Sequence, residues 1–229
     1  MHAVILAAGE GSRMDGATAD VPKAFMELAG ATLYERQRAA IDAHVDAVTV
    51  VLGHAYENVR DDVGDARTVV LEDWDDYENA ESLRRGLRGI DDDVLVLNGD
   101  VVITDAVVAR LRTRHRAAAG RSVVACLPGR EDEATAIRCD DQGLVTDYGL
   151  ITGRRHAGLG VVDRRHVGAA RAWLGDHRRQ WYPGLYTEVP TEAVAIPPGQ
   201  HIEINYPSDR VAARGKLPLN PADEIDVGT

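Results

Sequence analysis

Residues Ala3 to Met14 read AVILAAGEGSRM, and a Pro-Lys pair follows at Pro22 and Lys23. An apolar run ending in small residues, a glycine turn, an arginine and a distant lysine are suited to holding anions. Gly9 and Gly11 invite a dinucleotide reading. That fingerprint needs a third glycine opening directly onto a helix, and here Ser12-Arg13-Met14 leads into a long loop instead. A P-loop needs a lysine directly after its glycines, and none follows.

What remains fits one nucleoside triphosphate. Ala7, Ala8 and Gly9, with Leu6 before them, lack bulk, so a flat base lies against the backbone and bonds to its amides. Gly11 and Ser12 let amide N–H groups turn inward on the phosphates as an anion-binding nest. Arg13 and Lys23 add full positive charges that neutralise the departing β,γ-phosphates and the charge developing at the α-phosphorus.

The combined pattern, LAAGEGSRM followed by PKAFMELAG, resembles the signature of the nucleotidyltransferase superfamily with a glycosyltransferase-A-like fold. The ten-residue step from Arg13 to Lys23 is similar to that of choline-phosphate cytidylyltransferases and sugar-1-phosphate nucleotidyltransferases. The resemblance implies in-line attack of an acceptor oxygen on the α-phosphorus, release of pyrophosphate and a Mg²⁺ cofactor. By the same resemblance Asp100, in VLVLNGDVV, is the aspartate that binds metal at the end of a core strand, and Arg13, Lys23 and Asp100 form the catalytic set. IEINYPSD resembles the family's E-I-D-T-P-x-D, which makes Glu203 and Asn205 the candidates for a second metal ligand. Relatives carry Asp where this chain has Asn205, so Glu203 is preferred. Asp209 is expected to cap the final helix. WDDYENAESLRRGL resembles the segment that places Asn79 and Ser82 near the base and ribose.

The acceptor side is less defined. Trp181, Tyr182, Tyr186 and Glu188 could form an aromatic cage for a quaternary ammonium, or the aromatics could be core. Arg154, Arg155 and His156 either hold the acceptor phosphate or form a solvated face. The acceptor residues chosen are Arg154, Trp181, Tyr182 and Glu188. The function expected is Mg²⁺-dependent transfer of NMP from an NTP, CTP favoured, to a phosphocholine-like phospho-alcohol. A sugar-1-phosphate uridylyl- or thymidylyltransferase is the alternative enzyme, and a non-catalytic nucleotide-binding regulatory protein is the alternative of another class.

These residues need a scaffold. Continuous apolar runs at 3–8, 46–53, 67–72 and 92–100 suit strands buried on both faces, and helical spacing appears at 32–44, 55–63, 80–90 and 104–120. Thr32, Asn79 and Thr104 or Asp105 stand at N-cap positions, and Gly120 at a stop. Alternation of this kind predicts an α/β fold: a Rossmann-like, mixed, mostly parallel sheet flanked by helices as an α/β/α sandwich. Ligands of such sheets bind beyond the carboxyl ends of the strands. Further on, 133–149 reads as a hairpin turning at Asp140–Gly143, 156–167 as another strand, 168–180 as a helix, and His201–Asn205 as a last strand before a short helix. The hairpin is the small antiparallel insertion over the active site. One domain over 1–217 is expected, with an NTP-binding half at 1–130, an acceptor half at 131–217 and a flexible tail at 218–229.

Composition narrows the class. A net charge of −11 argues against general binding to nucleic acid or anionic membranes. No 18-residue apolar run is present and the first residues enter a strand pattern, so neither a membrane span nor a signal peptide is expected. Cys126 and Cys139 have no metal-ligand spacing and suit reduced residues of a cytoplasmic protein. Only Lys23 and Lys216 are lysines, and Asp outnumbers Glu, a bias that suits a surface bathed in molar salt. In a chain that avoids lysine, Lys23 is expected to have a purpose. The expected partners are an NTP and a small phosphorylated substrate, with a homodimer allowed.

Overall fold

The computed structural model describes residues 1–14, 16–129 and 131–217. The tail at 218–229, set apart above as flexible, lies outside the described residues.

The first strand, β1 (His2–Ala7), lies inside the sheet with a parallel neighbour on each side. A small ribbon, β2 (Glu27–Leu28) and β3 (Ala31–Thr32), leads into α1 (Leu33–Ile41), which Thr32 caps by accepting from the Glu35 amide. β4 (Ala47–Leu52), β5 (Arg67–Val70), α2 (Asn79–Gly86), β6 (Val94–Asn98), β7 (Val101–Ile103) and α3 (Asp105–Ala117) follow. The second half contains β8 (Ser122–Cys126), β9 (Glu131–Cys139), β10 (Val145–Val162), α4 (Val167–Asp176), α5 (Leu185–Glu188), β11 (Thr191–Ala195), β12 (His201–Glu203) and α6 (Pro207–Arg214).

The eight-stranded sheet runs β11-β8-β10-β6-β1-β4-β5, with β9 paired to β10 beside this path. β1 is parallel to β4 and β6, while β10 runs antiparallel to β6, β8 and β9. β7 and β12 form a separate antiparallel pair. Alternation along the central strands feeds two cores. Ala3, Ile5, Leu95 and Leu97 pack with α1 and α3, whereas Val4, Leu6, Val94 and Val96 pack with α2, α4 and α5. That is why these runs are apolar throughout rather than alternating. The predicted α/β/α sandwich with a mostly parallel sheet is the fold observed.

Three local expectations are overturned. Residues 55–63 are not a helix: Ala55 is left-handed (φ 48°), and only a single turn, Tyr56–Asn58, forms. The polar side chains there brace a neighbouring loop instead, with Asn58 donating to the Asp20 carbonyl and His54 bonded to that of Thr18. The second run of the hairpin expected at 133–149 and the strand expected at 156–167 are one continuous β10. It pairs first with β9 and then crosses into the main sheet between β6 and β8. Asn79 is the first residue of α2 rather than its cap. Glu78 occupies the cap position without a side-chain bond.

A third, smaller core lies under the ends of the strands. Met14, Met26, Leu28, Leu33, Val102, Ile202, Ile204 and Ala213 meet there. It joins the turn after the glycine loop, the segment after Lys23, the β7–β12 pair and α6 in one packed unit.

Candidate active site

A cavity of about 440 Å³ opens at the carboxyl ends of β1 and β6. Its wall contains every residue assigned above to catalysis or to the nucleotide: Arg13, Lys23 and Asp100, then Leu6, Ala7, Ala8, Gly9, Gly11, Ser12, Asn79 and Ser82.

The backbone explains this convergence. Gly11 is left-handed (φ +70°), and a Cβ there would stand 3.1 Å from the Cβ of Lys23, so the turn is open to the lysine stem. Pro22 (φ −59°) leads into a single helical turn at Lys23–Phe25, whose Phe25 packs into the first core. Gly99 lies on the end of β1: its amide donates to the Leu6 carbonyl (2.9 Å), and a Cβ would fall 2.6 Å from that oxygen. Any side chain would push Asp100 away from the glycine loop. Gln37 of α1, fully buried, donates to the carbonyls of Asn98 and Val101 and pins the turn that carries Asp100. Nothing in the spacing of α1 marks Gln37 for this task.

The charges meet at Lys23. Its ammonium donates to Asp100 Oδ2 at 2.9 Å and to Asn205 Oδ1 at 3.3 Å. The other carboxylate oxygen of Asp100 is buried and has no hydrogen-bond partner. A buried, unsatisfied carboxylate oxygen beside an amide carbonyl is a hard-oxygen donor set, and it fits Mg²⁺, which takes few protein ligands and completes its shell with phosphate and water. Glu203, the preferred second ligand, is absent from the cavity wall. Arg155 and Asn205 bond to its carboxylate and hold it below the usual range against the opposing effect of burial. Asn205 lines the cavity, so the departure from Asp leaves an oxygen donor in place. A second group able to hold an ion, Asp93, His115 and Asp163, lies at the far end of the sheet, where β6 begins and β10 ends. There Arg165 already binds both oxygens of Asp163.

The α2 side differs from expectation in detail. Asn79 Oδ1 accepts from the Tyr182 amide at 2.7 Å. The amides of Glu78 and Ala80 donate to the carbonyls of Arg178 and Gln180. The helix start is thereby tied to the segment that carries Trp181. Trp74, Tyr77 and Glu78 also line the cavity and were missed, because aromatic and acidic residues in a loop have no distinctive spacing.

The acceptor residues separate. Trp181 is 40% exposed on the cavity wall, whereas Tyr182 and Tyr186 are fully buried in the second core and Glu188 is on the surface. Arg154 lies on the sheet face opposite Arg155, hydrogen-bonded to the Cys126 thiol, which burial pushes up to about 11. The aromatic cage therefore does not form, and the alternative use, core packing, holds for Tyr182 and Tyr186. A neighbouring cavity of about 520 Å³ shares Glu78 and Trp181 with the first and adds Asp147, Tyr148, Trp173 and Arg179.

Residues 3–183 match the MobA-like NTP transferase domain. The chain belongs to this family. Among curated proteins, this NTP transferase chain is 34% identical over 165 residues to a CMP-5'-(3-aminopropyl)phosphonate synthase of Streptomyces rubellomurinus, covering 69% of this chain and 26% of that protein. It is 31% identical over 129 residues to the bifunctional protein GlmU of Gloeobacter violaceus, covering 54% of this chain and 28% of that one. The chain thus spans about a quarter of the length of the curated relatives it matches. Among solved structures, the CTP:phosphocholine cytidylyltransferase of Streptococcus pneumoniae superposes with a TM-score of 0.73 at 18% identity over 94% of this chain and 98% of that one. HddC from Yersinia pseudotuberculosis gives 0.71 at 15% over 94% and 99%. At such identity the two structures establish the shared fold of the NTP transferase.

Proposed function

We propose that the chain is a cytidylyltransferase that moves CMP from CTP to a small acceptor bearing a phosphate or phosphonate, with release of pyrophosphate. The observation that carries this reading is the meeting of Lys23, Asp100 and Asn205 beside the glycine turn, in one cavity with Arg13. An oxygen of the acceptor attacks the α-phosphorus, and the bond to the pyrophosphate oxygen breaks. Gly11 and Ser12 turn amides toward the phosphates, Arg13 and Lys23 neutralise the leaving pyrophosphate, and Asn79 and Ser82 border the base. Asp100 and Asn205 would hold Mg²⁺, which supplies charge neutralisation at the reacting phosphate.

The acceptor is read from the second cavity. Trp181 and Glu78 border both spaces, and the aromatic faces of Tyr148 and Trp173 stand with the carboxylates of Glu78 and Asp147. Such a lining suits a cationic tail. Two relatives' names carry an amine or a choline on the phosphorylated substrate, in keeping with this lining. The test is a pyrophosphate-release screen, at high salt with Mg²⁺, of four NTPs against phosphocholine, 3-aminopropylphosphonate and sugar 1-phosphates. Turnover confined to CTP with an amine-bearing acceptor is expected. Turnover confined to UTP or dTTP with a sugar 1-phosphate would replace the reading, and NTP binding without any turnover would favour a regulatory protein.

The composition supports a cytoplasmic protein of a salt-rich interior. A charge of −11 repels itself most where screening is weak, and the screening length lengthens from about 3 Å at 1 M salt to about 30 Å at 0.01 M. The melting temperature is expected to drop by several degrees on transfer from molar KCl to dilute buffer. An unchanged midpoint would remove the halophilic reading.

A further inference from the structure

Arg13 is an exposed arginine in a chain with 37 acidic residues, yet it forms no ion pair among the described residues. Its guanidinium carbon lies over the ring of Tyr206, 5.5 Å from the centroid. Tyr206 is itself half exposed, at 49%. Its backbone is held from three sides. The Tyr206 residue is extended (φ −131°), Pro207 follows it as the first residue of α6, and Asp209 Oδ2 accepts from the amides of both Asn205 and Tyr206 at 2.8 Å. The two elements also share the small core, where Met14 next to Arg13 meets Ala213 of α6. The resemblance noted above has threonine at this place, so the ring is a feature of this chain.

We propose that Tyr206 is a positioning residue that holds Arg13 over the phosphate cradle without neutralising it. This rests on the reading of the cavity as an NTP site. A carboxylate in the same place would hold the guanidinium equally well, but it would occupy the in-plane N–H donors and cancel the charge that the triphosphate needs. An aromatic face attracts the cation from above and leaves the five in-plane donors free. In a protein so rich in carboxylates, this keeps one arginine available. Through Asp209 the same turn sets Asn205 against Lys23, so one short segment touches both cations of the site.

The test is binding of Mg·CTP by calorimetry in molar KCl, with the other three NTPs run in parallel. Tyr206→Ala and Tyr206→Thr are expected to weaken nucleotide binding about 3- to 30-fold, the range of a cation–π contact from exposed to desolvated. Tyr206→Phe should restore it to within about twofold, because the face and not the hydroxyl carries the contact. In an Arg13→Ala background, Tyr206→Ala should cost nothing further. Equal losses with Arg13 present and absent would overturn the proposal, as would a Phe variant as weak as Ala or an Ala variant as tight as the parent. Melting temperatures taken alongside separate a local loss from unfolding. A parent protein that binds none of the four NTPs would overturn the NTP site together with the role of Tyr206, whereas a parent that binds while the variants add independently overturns only the latter.

Discussion

Replacing Asp100 by alanine is expected to lower pyrophosphate release about a thousand-fold or more, equal to about 4 kcal/mol of transition-state stabilisation, while the protein stays folded. The side chain performs two tasks at once. One oxygen holds the Lys23 ammonium and the other is buried without a partner, ready for a cation. The fold tolerates its loss because the Lys23 ammonium keeps the Asn205 carbonyl oxygen as an acceptor. Asp100→Asn keeps an acceptor for Lys23 but loses the charge. It should be nearly as slow as the alanine variant at every Mg²⁺ concentration. Turnover retained by either variant with Mg²⁺ present would remove Asp100 from the metal site.

The largest loss of stability is expected at Glu81. Its side chain is 0% exposed, and both oxygens are taken by arginines: Arg84 at 2.6 Å and Arg85 at 2.7 Å. Arg85 reaches on to Asp73, also at 2.7 Å, so the network ties α2 to the loop before it. Burial pushes the Glu81 carboxyl up, but the hydrogen bonds from Arg84 and Arg85 outweigh it and hold the group below its ordinary 4.5. A carboxyl lowered in the folded state stabilises fully above its unfolded value, and the contribution is lost as pH falls through the folded value. Glu81→Gln should therefore cost about 3 kcal/mol at neutral pH, because it leaves the half-buried Arg84 without a carboxylate and Arg85 with Asp73 alone. The melting temperature should fall by roughly 6–12 °C for a chain of this size. The variant should also lose part of the acid-induced decline below pH 4.5. A midpoint within 2 °C of the parent, judged against about 2–4 °C per kcal/mol, would show that the network is not needed.

The parts of the molecule legible in the sequence are those where one local rule dominates. The apolar runs of β1, β4 and β6 feed cores on both faces, and Thr32 and Thr104 cap their helices because a hydroxyl next to a helical run has few other uses. The glycine turn, Arg13 and Lys23 stand out in the sequence because they have no bland use in common, and they meet in one cavity. Elsewhere tertiary demands prevailed. Tyr182 and Tyr186 carry the composition of a cage, but they pack against His156 in the core, a difference of burial that no spacing encodes. Asn79 looked like a cap, but its carbonyl oxygen serves Tyr182, 103 residues away. Glu203 and Asn205 are told apart by Arg155, which takes the Glu203 carboxylate while the Asn205 amide lines the cavity, and Gln37 acts on a turn 61 and 64 residues distant.

The small core of eight side chains beneath the strand ends has a consequence for how this protein fails. Arg13, Lys23 and Asp100 each sit on a segment anchored there or next to it, whereas the two large cores hold the sheet and its flanking helices. The small core is expected to open as a sub-global unit before the sheet melts, read as faster amide exchange in β7 than in β1 and β6. Two of the eight are Met14 and Met26, whose oxidation to sulfoxide would place polar groups in the core that anchors the segments of Arg13 and Lys23.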